Sequence, residues 1–411
     1  MRGVDVLIVG GGPAGLAAAL ALRQRGARVT VADALKPPID KACGEGLMPD
    51  SLAELARLGV TLTAEDGGVF RGIRFCSHSL PGRGKPSAGL PTLESVATAR
   101  FPTAFDGATG QALGLKRTVL HNRLTEAAEE AGVDLRWNAP VQLRGNGCVL
   151  VAGEPLRYGC LVGADGQGSR VRRWAELETG RVLSRRFGFR QHYRVRPWSE
   201  YVEVHWGRSG QAYVTPVSED EVGVATITRD PRCRGETLLD ELPWLRERLA
   251  AGAPIVEKTD RERGALTTTR RLRRVALSRG SCGPVALLGD ASGSADAVTG
   301  EGMAMAFRQA LLLADCLADS PVPAALERYN REHPAILKLP QTMAQVMLGM
   351  DRWPAFRRRA IGVLASEPKL FARMLGVHVG AESPAHFVAT SGLDLAWRLA
   401  AAPAKISSAP I

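Results

Sequence analysis

The chain has 411 residues, 45% of them hydrophobic and 23% charged, which suits two or three globular domains and excludes a disordered polymer. Its formal net charge of +11 rests mostly on arginine, yet no nucleic-acid motif and no interleaving of aromatic with basic residues accompanies it, so no nucleic-acid partner is expected. The seven cysteines are scattered and form no C-x-x-C pair, which argues against a disulfide framework and against a metal site.

In chain order, residues 4–33 read as one βαβ unit. "VDVLIVG" is a buried strand, Gly10-Gly11-Gly12-Pro13-Ala14-Gly15 a turn, "LAAALALRQRG" a helix, and "ARVTVAD" a second strand ending at Asp33. The turn fits G-x-G-x-x-G in the context that motif requires. Gly10 makes the tight turn, Gly12 lets a pyrophosphate reach the backbone, and Gly15 lets helix and strand close up. The helix start offers free N–H groups to phosphates, and Asp33 is placed to accept hydrogen bonds from a ribose.

"ALKPPIDKACGEGLMP" then forms a loop too long for a bare connector, so it is expected to be functional. A helix is expected at about 50–58, strands and loops over 67–111, a helix over "TVLHNRLTEAAEEAG" and a strand at "VDLRW". "CLVGADGQGSR" follows. Residues 182–228 alternate in the manner of an antiparallel sheet, and a helix is expected at 236–250. After "LLGDASGSADAVTGEG" the pattern is helical to the end, with expected breaks at Pro321, Pro323, Pro334, Pro340 and Pro354 and a flexible tail. No apolar run of about 20 residues is free of charge, and no signal-peptide pattern precedes the first strand; a cytoplasmic protein is expected.

Three motifs in this order carry a resemblance. The N-terminal glycine turn, the middle segment Asp165-Gly166-Gln167-Gly168-Ser169-Arg170-Val171-Arg172 and the late Gly289-Asp290 together resemble the p-hydroxybenzoate hydroxylase and geranylgeranyl reductase superfamily of FAD enzymes. The resemblance spans about residues 4–340. It implies an α/β fold, with a Rossmann-like FAD-binding domain of the glutathione-reductase type, an inserted antiparallel β-sheet substrate domain and C-terminal helices. The corresponding boundaries are residues 1–68, 112–172 and 280–340 for the FAD-binding domain, 69–111 and 173–279 for the substrate domain, and 341–411 for the helical region.

The resemblance also implies site residues. Asp290, after Gly289, would hold the ribityl chain of FAD, and Gly300, Glu301, Gly302 and Met303 would cover the flavin's pyrimidine edge and pyrophosphate. Gly10, Gly12, Pro13, Ala14, Gly15, Asp33 and Asp165 would hold the rest of the cofactor. Arg117 matches an arginine that opens a helix in that family. Ala42, Cys43 and Gly44 in "KACGEG" resemble the Cys-Gly segment that the reductase branch places beside the flavin. Cys43, His192, His205 and Tyr213 are the candidate catalytic residues, each with an ordinary packing role as the alternative.

Two reactions follow from the resemblance. In a monooxygenase, reduced flavin and O2 form a C4a-hydroperoxide that attacks an electron-rich ring; in a reductase, the flavin hands hydride to a prenyl or enoyl double bond. Thr299-Gly300-Glu301-Gly302 lies closer to the reductase branch than the G-x-G-x-N of aromatic hydroxylases. The Trp-x-Trp-x-x-Pro motif of flavin halogenases is missing. The leading expectation is a single-component monooxygenase acting on an aromatic or polyketide-derived lipophilic substrate. A reductase is the alternative, with a halogenase or a non-catalytic flavin-binding protein behind it. Without a second glycine turn, NAD(P)H is expected to bind only transiently. The Met, Leu, Phe, Trp and Arg residues of 341–401 suggest peripheral contact with a membrane surface.

Overall fold

The computed structural model describes residues 5–78, 93–103, 110–145, 147–251 and 257–401. Its centre is a six-stranded sheet in the order Ala276–Leu277, Val285–Leu287, Cys160–Gly163, Asp5–Val9, Arg28–Ala32, Asp134–Arg136. All neighbours run parallel except the edge strand Ala276–Leu277. Helices Pro13–Gln24 and Gly302–Asp319 pack together beside it. Val6, Leu7, Ile8, Leu161 and Val162 are buried, as expected of strands covered on both faces. The carboxyl ends of Asp5–Val9, Cys160–Gly163 and Val285–Leu287 lie side by side, so three glycine-bearing motifs far apart in sequence reach one edge.

Above that edge lies a seven-stranded sheet in the order Arg263–Leu272, Gly180–Arg194, Glu221–Thr228, Gly210–Pro216, Val202–Trp206, Gly72–His78, Leu93–Arg100. One pair departs from the antiparallel expectation: Gly72–His78 runs parallel to Val202–Trp206. The two strands are joined through the six-stranded sheet, and so long a crossover permits a parallel pair that no hairpin could make.

Strand alternation gives this sheet two faces. Tyr193, Ala212, Val214, Val222 and Val224 pack against Leu238, Leu242, Leu245 and Leu249 on the outer face. The helix expected at 236–250 is in fact two, Gly235–Asp240 and Pro243–Ala250, because Pro243 has no N–H to continue the first and instead opens the second. The inner face looks toward the six-stranded sheet and the C-terminal helices, where Val204 and Trp206 meet Ile361, Leu364, Phe371 and Leu375.

The proline expectation holds in part. Pro321 precedes a helix, Pro323 lies in its first turn, and Pro354 opens the next, but Pro334 and Pro340 sit inside the unbroken helix Val322–Arg352. An interior proline costs about 3 kcal/mol, so packing must offset it. Leu326, Tyr329, His333 and Leu337 are buried along it, the Tyr329 hydroxyl donates to the Leu287 carbonyl at 3.0 Å, and the Asn330 side chain accepts from the backbone N–H groups of Val275 and Ala276. The expected flexible tail falls at 402–411, outside the described residues. No helix among the described residues is long and apolar enough to cross a membrane.

Candidate active site

A cavity of about 550 Å³ lies between the two sheets and is lined by all three motifs. The glycine turn is made by sterics. A Cβ on Gly10, whose φ is +111°, would stand 2.5 Å from the Ala164 carbonyl oxygen, and one on Gly15 would stand 1.9 Å from the Gly10 oxygen. A Cβ on Gly12 would meet nothing closer than Arg117 Nη2 at 3.9 Å, so that position opens on the cavity. Both Asp33 oxygens accept backbone N–H groups, from Gly11 at 2.7 Å and from Leu35 at 2.8 Å. Asp33 therefore holds the turn as well as facing the cavity. His121 braces the same turn from below, its Nε2 lying 2.8 Å from the Gly11 carbonyl, and burial holds it below the usual histidine range. Nothing in the sequence marked His121 except its place one helical turn after Arg117.

The late motif touches the first. Gly289 has φ +58°, and a Cβ there would lie 2.8 Å from that of Ala14. Arg172 ties the middle motif to the late one: buried, it donates through Nη1 to the Ala291 carbonyl at 3.0 Å and through Nη2 to that of Gln167 at 2.8 Å. Asp165 Oδ2 accepts from the backbone N–H groups of Arg170 and Val171, while its buried Oδ1 has no partner. Asp290 is paired with Lys41 at 2.9 Å, a partner the sequence gave no reason to expect.

The resemblance's cofactor residues Gly10, Gly12, Pro13, Ala14, Asp33, Ala42, Cys43, Gly44, Arg117, Asp165, Gly289, Asp290, Gly300, Gly302 and Met303 all line this cavity. Gly15 stands behind it, packing helix on strand. Glu301 also lies off the cavity. It is buried with its Oε2 unpartnered, Asp50 and Arg308 lie nearby, and His378 Nδ1 is 3.8 Å away. Burial pushes the Glu301 carboxyl up to about 8 and that of Asp50 up to about 6, where Arg308 pulls the other way.

The four candidate catalytic residues separate. Tyr213 lines the cavity, its hydroxyl donating to the Val298 carbonyl at 2.8 Å, and burial raises its pKa. Cys43 lines it too, but burial, with the Glu45 carboxylate beside it, pushes the thiol up to about 11. A thiol so raised is protonated at neutral pH, contrary to what a nucleophilic or redox-active cysteine needs.

His192 projects from the inner face into a buried network. Its Nε2 lies 2.6 Å from Glu45 Oε2 and its Nδ1 lies 2.8 Å from Asp260 Oδ2. Burial alone would lower this imidazole, but the hydrogen bond and charge of Glu45, with Asp260 behind, outweigh it and hold the pKa above the ordinary value.

His205 points the other way. It lies on the outer face, sealed beneath Trp244, with Nδ1 2.8 Å from His78 Nε2 and Nε2 3.2 Å from Glu203. Cys76, Glu203 and His205 converge closely enough to resemble a metal site. The Glu203 oxygens, however, already serve Arg74 at 3.0 Å, Trp198 Nε1 at 3.0 Å and His205, which makes the group a satisfied hydrogen-bond network.

The cavity fits an FAD-type dinucleotide by its own chemistry. Gly12, Gly300 and Gly302 leave it open where a Cβ would otherwise intrude, the helix start at Pro13 faces it, and the Arg117 Nε and Asp165 Oδ1 at its wall are buried without partners. Comparison with known proteins agrees. The model of a family described as "FAD binding domain" matches residues 3–339. A menaquinone reductase of Mycolicibacterium smegmatis is 39% identical over 112 residues, which is 25% of this chain and 27% of that protein. The chain thus aligns with little more than a quarter of that relative's length. A Bacillus subtilis protein provisionally named an FAD-dependent monooxygenase is 25% identical over 370 residues, covering 83% of this chain and 92% of the relative. Among solved structures, a flavoprotein/dehydrogenase from Cytophaga hutchinsonii superposes with a TM-score of 0.75 at 18% identity, covering 97% and 98% of the two chains; that likeness concerns the fold alone.

Proposed function

Since this chain belongs to the FAD-binding-domain family, we propose that it is a single-component FAD-dependent monooxygenase hydroxylating an uncharged, lipophilic aromatic or polyketide-derived substrate. When bound, FAD would supply the redox chemistry, with NAD(P)H as the electron donor and O2 as the acceptor. The chain's own residues bind, orient and keep water out.

The observation that carries the reading is the inner face of the seven-stranded sheet where it meets the cavity. Gly188, Tyr213, Ala225, Ile227, Ala265 and Thr267 line it, and none carries a charge. The arginines of that face are occupied: Arg186 faces Asp296 and Asp351, and Arg190 faces Asp40 and Glu45. Among the described residues of that face, a carboxylate or phosphate on the substrate would meet only arginines already paired with carboxylates, whereas a neutral ring would find apolar area and small side chains. Such substrates partition into membranes. Exposed Trp353, Leu393 and Trp397 on the C-terminal helices, with Arg352 over the Trp353 ring at 5.8 Å, support peripheral contact with a membrane surface.

A second reading, reduction of a prenyl or enoyl double bond, is favoured by Cys43 and Gly44 at the cavity wall and by the likeness to the menaquinone reductase. One experiment separates the two. The FAD-loaded protein is reduced with NADPH without air and offered an alkyl phenol or a prenyl quinone; labelled O2 is then admitted. Label in the product is the expected result. Saturation of a double bond before oxygen enters, with no label afterwards, replaces the monooxygenase with the reductase.

A further inference from the structure

We infer that Asp260, His192 and Glu45 form a proton relay from solvent to the cavity wall, with His192 as its store and Glu45 as its delivery end. The inference rests on the oxidoreductase reading, because either reaction takes up protons in the cavity. Saturating a double bond adds a proton with each hydride, and hydroxylation with O2 reduces the second oxygen atom to water.

The geometry is continuous. Asp260 has a side chain 31% exposed, His192 is buried, and Glu45, 1% exposed, belongs to the cavity lining. The two contacts, 2.8 Å and 2.6 Å, are both of hydrogen-bond length, one on each ring nitrogen. The arrangement is held from several elements. Asp260 Oδ1 accepts the His192 backbone N–H at 3.1 Å, and Glu45 Oε1 accepts the Arg117 backbone N–H at 2.8 Å. Glu45 takes a left-handed backbone conformation, φ +58°, that a non-glycine residue adopts only when its surroundings hold it there. On the neighbouring strand Gly223 makes room: a Cβ there would lie 3.0 Å from Glu45 Oε2 and 3.4 Å from His192 Cδ2.

Charge favours a stored proton. The groups facing the imidazole are Glu45 and Asp260, with Arg190 packed beside the ring; Asp40 lies behind Arg190, and Arg263 pairs with Asp40. Three carboxylates thus meet two guanidinium groups, and an imidazolium neutralises the remainder. The neutral Cys43 thiol adds no charge, and the Arg117 guanidinium lies near Gly12 in the cavity. In the transfer, the His192 Nε2–H bond breaks as the Glu45 Oε2–H bond forms. The ring is left neutral with its Nδ1–H on Asp260, and Glu45 then yields the proton to the group being protonated in the cavity. Reloading first moves the remaining ring proton from Nδ1 to Nε2 by tautomerisation, and the freed Nδ1 then takes one proton from solvent through Asp260.

The first test needs no cofactor. In the apo-protein labelled with 15N-histidine, His192 is assigned by its loss in His192→Gln and titrated by NMR. We expect it to titrate above its ordinary value of about 6.5, and Glu45→Gln to bring it down. A titration at or below the ordinary value, or one that Glu45→Gln leaves unmoved, overturns the relay. The second test uses the half-exposed end. In the FAD-loaded enzyme, Asp260→Ala is expected to lower kcat about 10- to 100-fold, to alter its pH profile and to recover with added formate, while Asp260→Glu retains most of the rate. An unchanged pH profile, or a loss that formate does not restore, also overturns it. Loss of the monooxygenase reading alone would show as label-free product with both relay results intact.

Discussion

The seven-stranded sheet carries two histidine clusters on opposite faces, built from the same residue types. On the inner face, His192 lies between two carboxylates, one half-exposed and one at the cavity wall. On the outer face, His205 lies between Glu203 and His78 beneath Trp244, and the Glu203 charge already serves Arg74. The consequences are opposite. His192 is held above its ordinary pKa; His78, buried and with another imidazole as its near partner, is driven down to about 3. Hydrogen bonding alone makes neither cluster functional. A surplus of carboxylate and a path to water distinguish the inner one, and a satisfied, sealed network makes the outer one a structural element.

The largest expected effect falls on the sealed side. Glu203→Leu leaves Arg74, His205 and the Trp198 N–H without their acceptor and should cost about 3–5 kcal/mol of stability in urea unfolding, with turnover per folded molecule unchanged. A matching loss of turnover in the folded fraction would erase the contrast between the faces. On the inner face Gly223→Ala crowds Glu45 and His192 and should cost about 1–3 kcal/mol, as overpacking does. It should also lower the His192 titration, which no purely steric loss of stability would do.

The pH dependence sharpens the contrast because its signs differ. The folded-state pKa of His78 lies below its unfolded value near 6.5, so folding excludes a proton; stability is lost as pH falls from about 6.5 toward 3, by up to about 1.4 kcal/mol per pH unit. The folded-state pKa of His192 is raised, so its contribution is complete below about 6.5 and is lost as pH rises through the folded value. Urea unfolding across this range should therefore show His78→Gln flattening the acid side and His192→Gln the neutral-to-basic side. The same side flattened by both would refute the assignment. The smallest effect concerns Cys43. With its thiol up at about 11, on the order of one molecule in a thousand is thiolate at pH 8, so iodoacetamide should leave Cys43 unlabelled in the folded protein and label it after unfolding. Rapid labelling of the folded protein would return Cys43 to the catalytic candidates.

The motif residues that line the cavity were legible in the sequence, and the Asp260–His192–Glu45 network was not. Gly10, Gly12 and Gly15 act through their own backbone within six consecutive residues, between a strand and a helix whose apolar periods are local. Glu45 and Asp260 escaped notice because an acid in a loop gives no local sign of its partner. His192 and His205 both sit on well-alternating strands, yet nothing in that alternation tells which face is buried against helices and which meets a cavity.

The amino-acid sequence by itself determined the βαβ unit, the FAD-binding family and most of the motif residues that line the cavity between the sheets, because each motif is a short-range pattern of strand, turn and helix. Tertiary structure decided the rest. The pairs Glu45–His192, His192–Asp260 and Lys41–Asp290 join residues 147, 68 and 249 positions apart, and only the packing of separate elements brings them together. Packing also carried the helix Val322–Arg352 through two prolines and set Gly72–His78 parallel to Val202–Trp206. The physical reason is the period of two along a strand: a shift of one residue in register sends every side chain to the other face, and burial against neighbouring elements, rather than local propensity, selects the register.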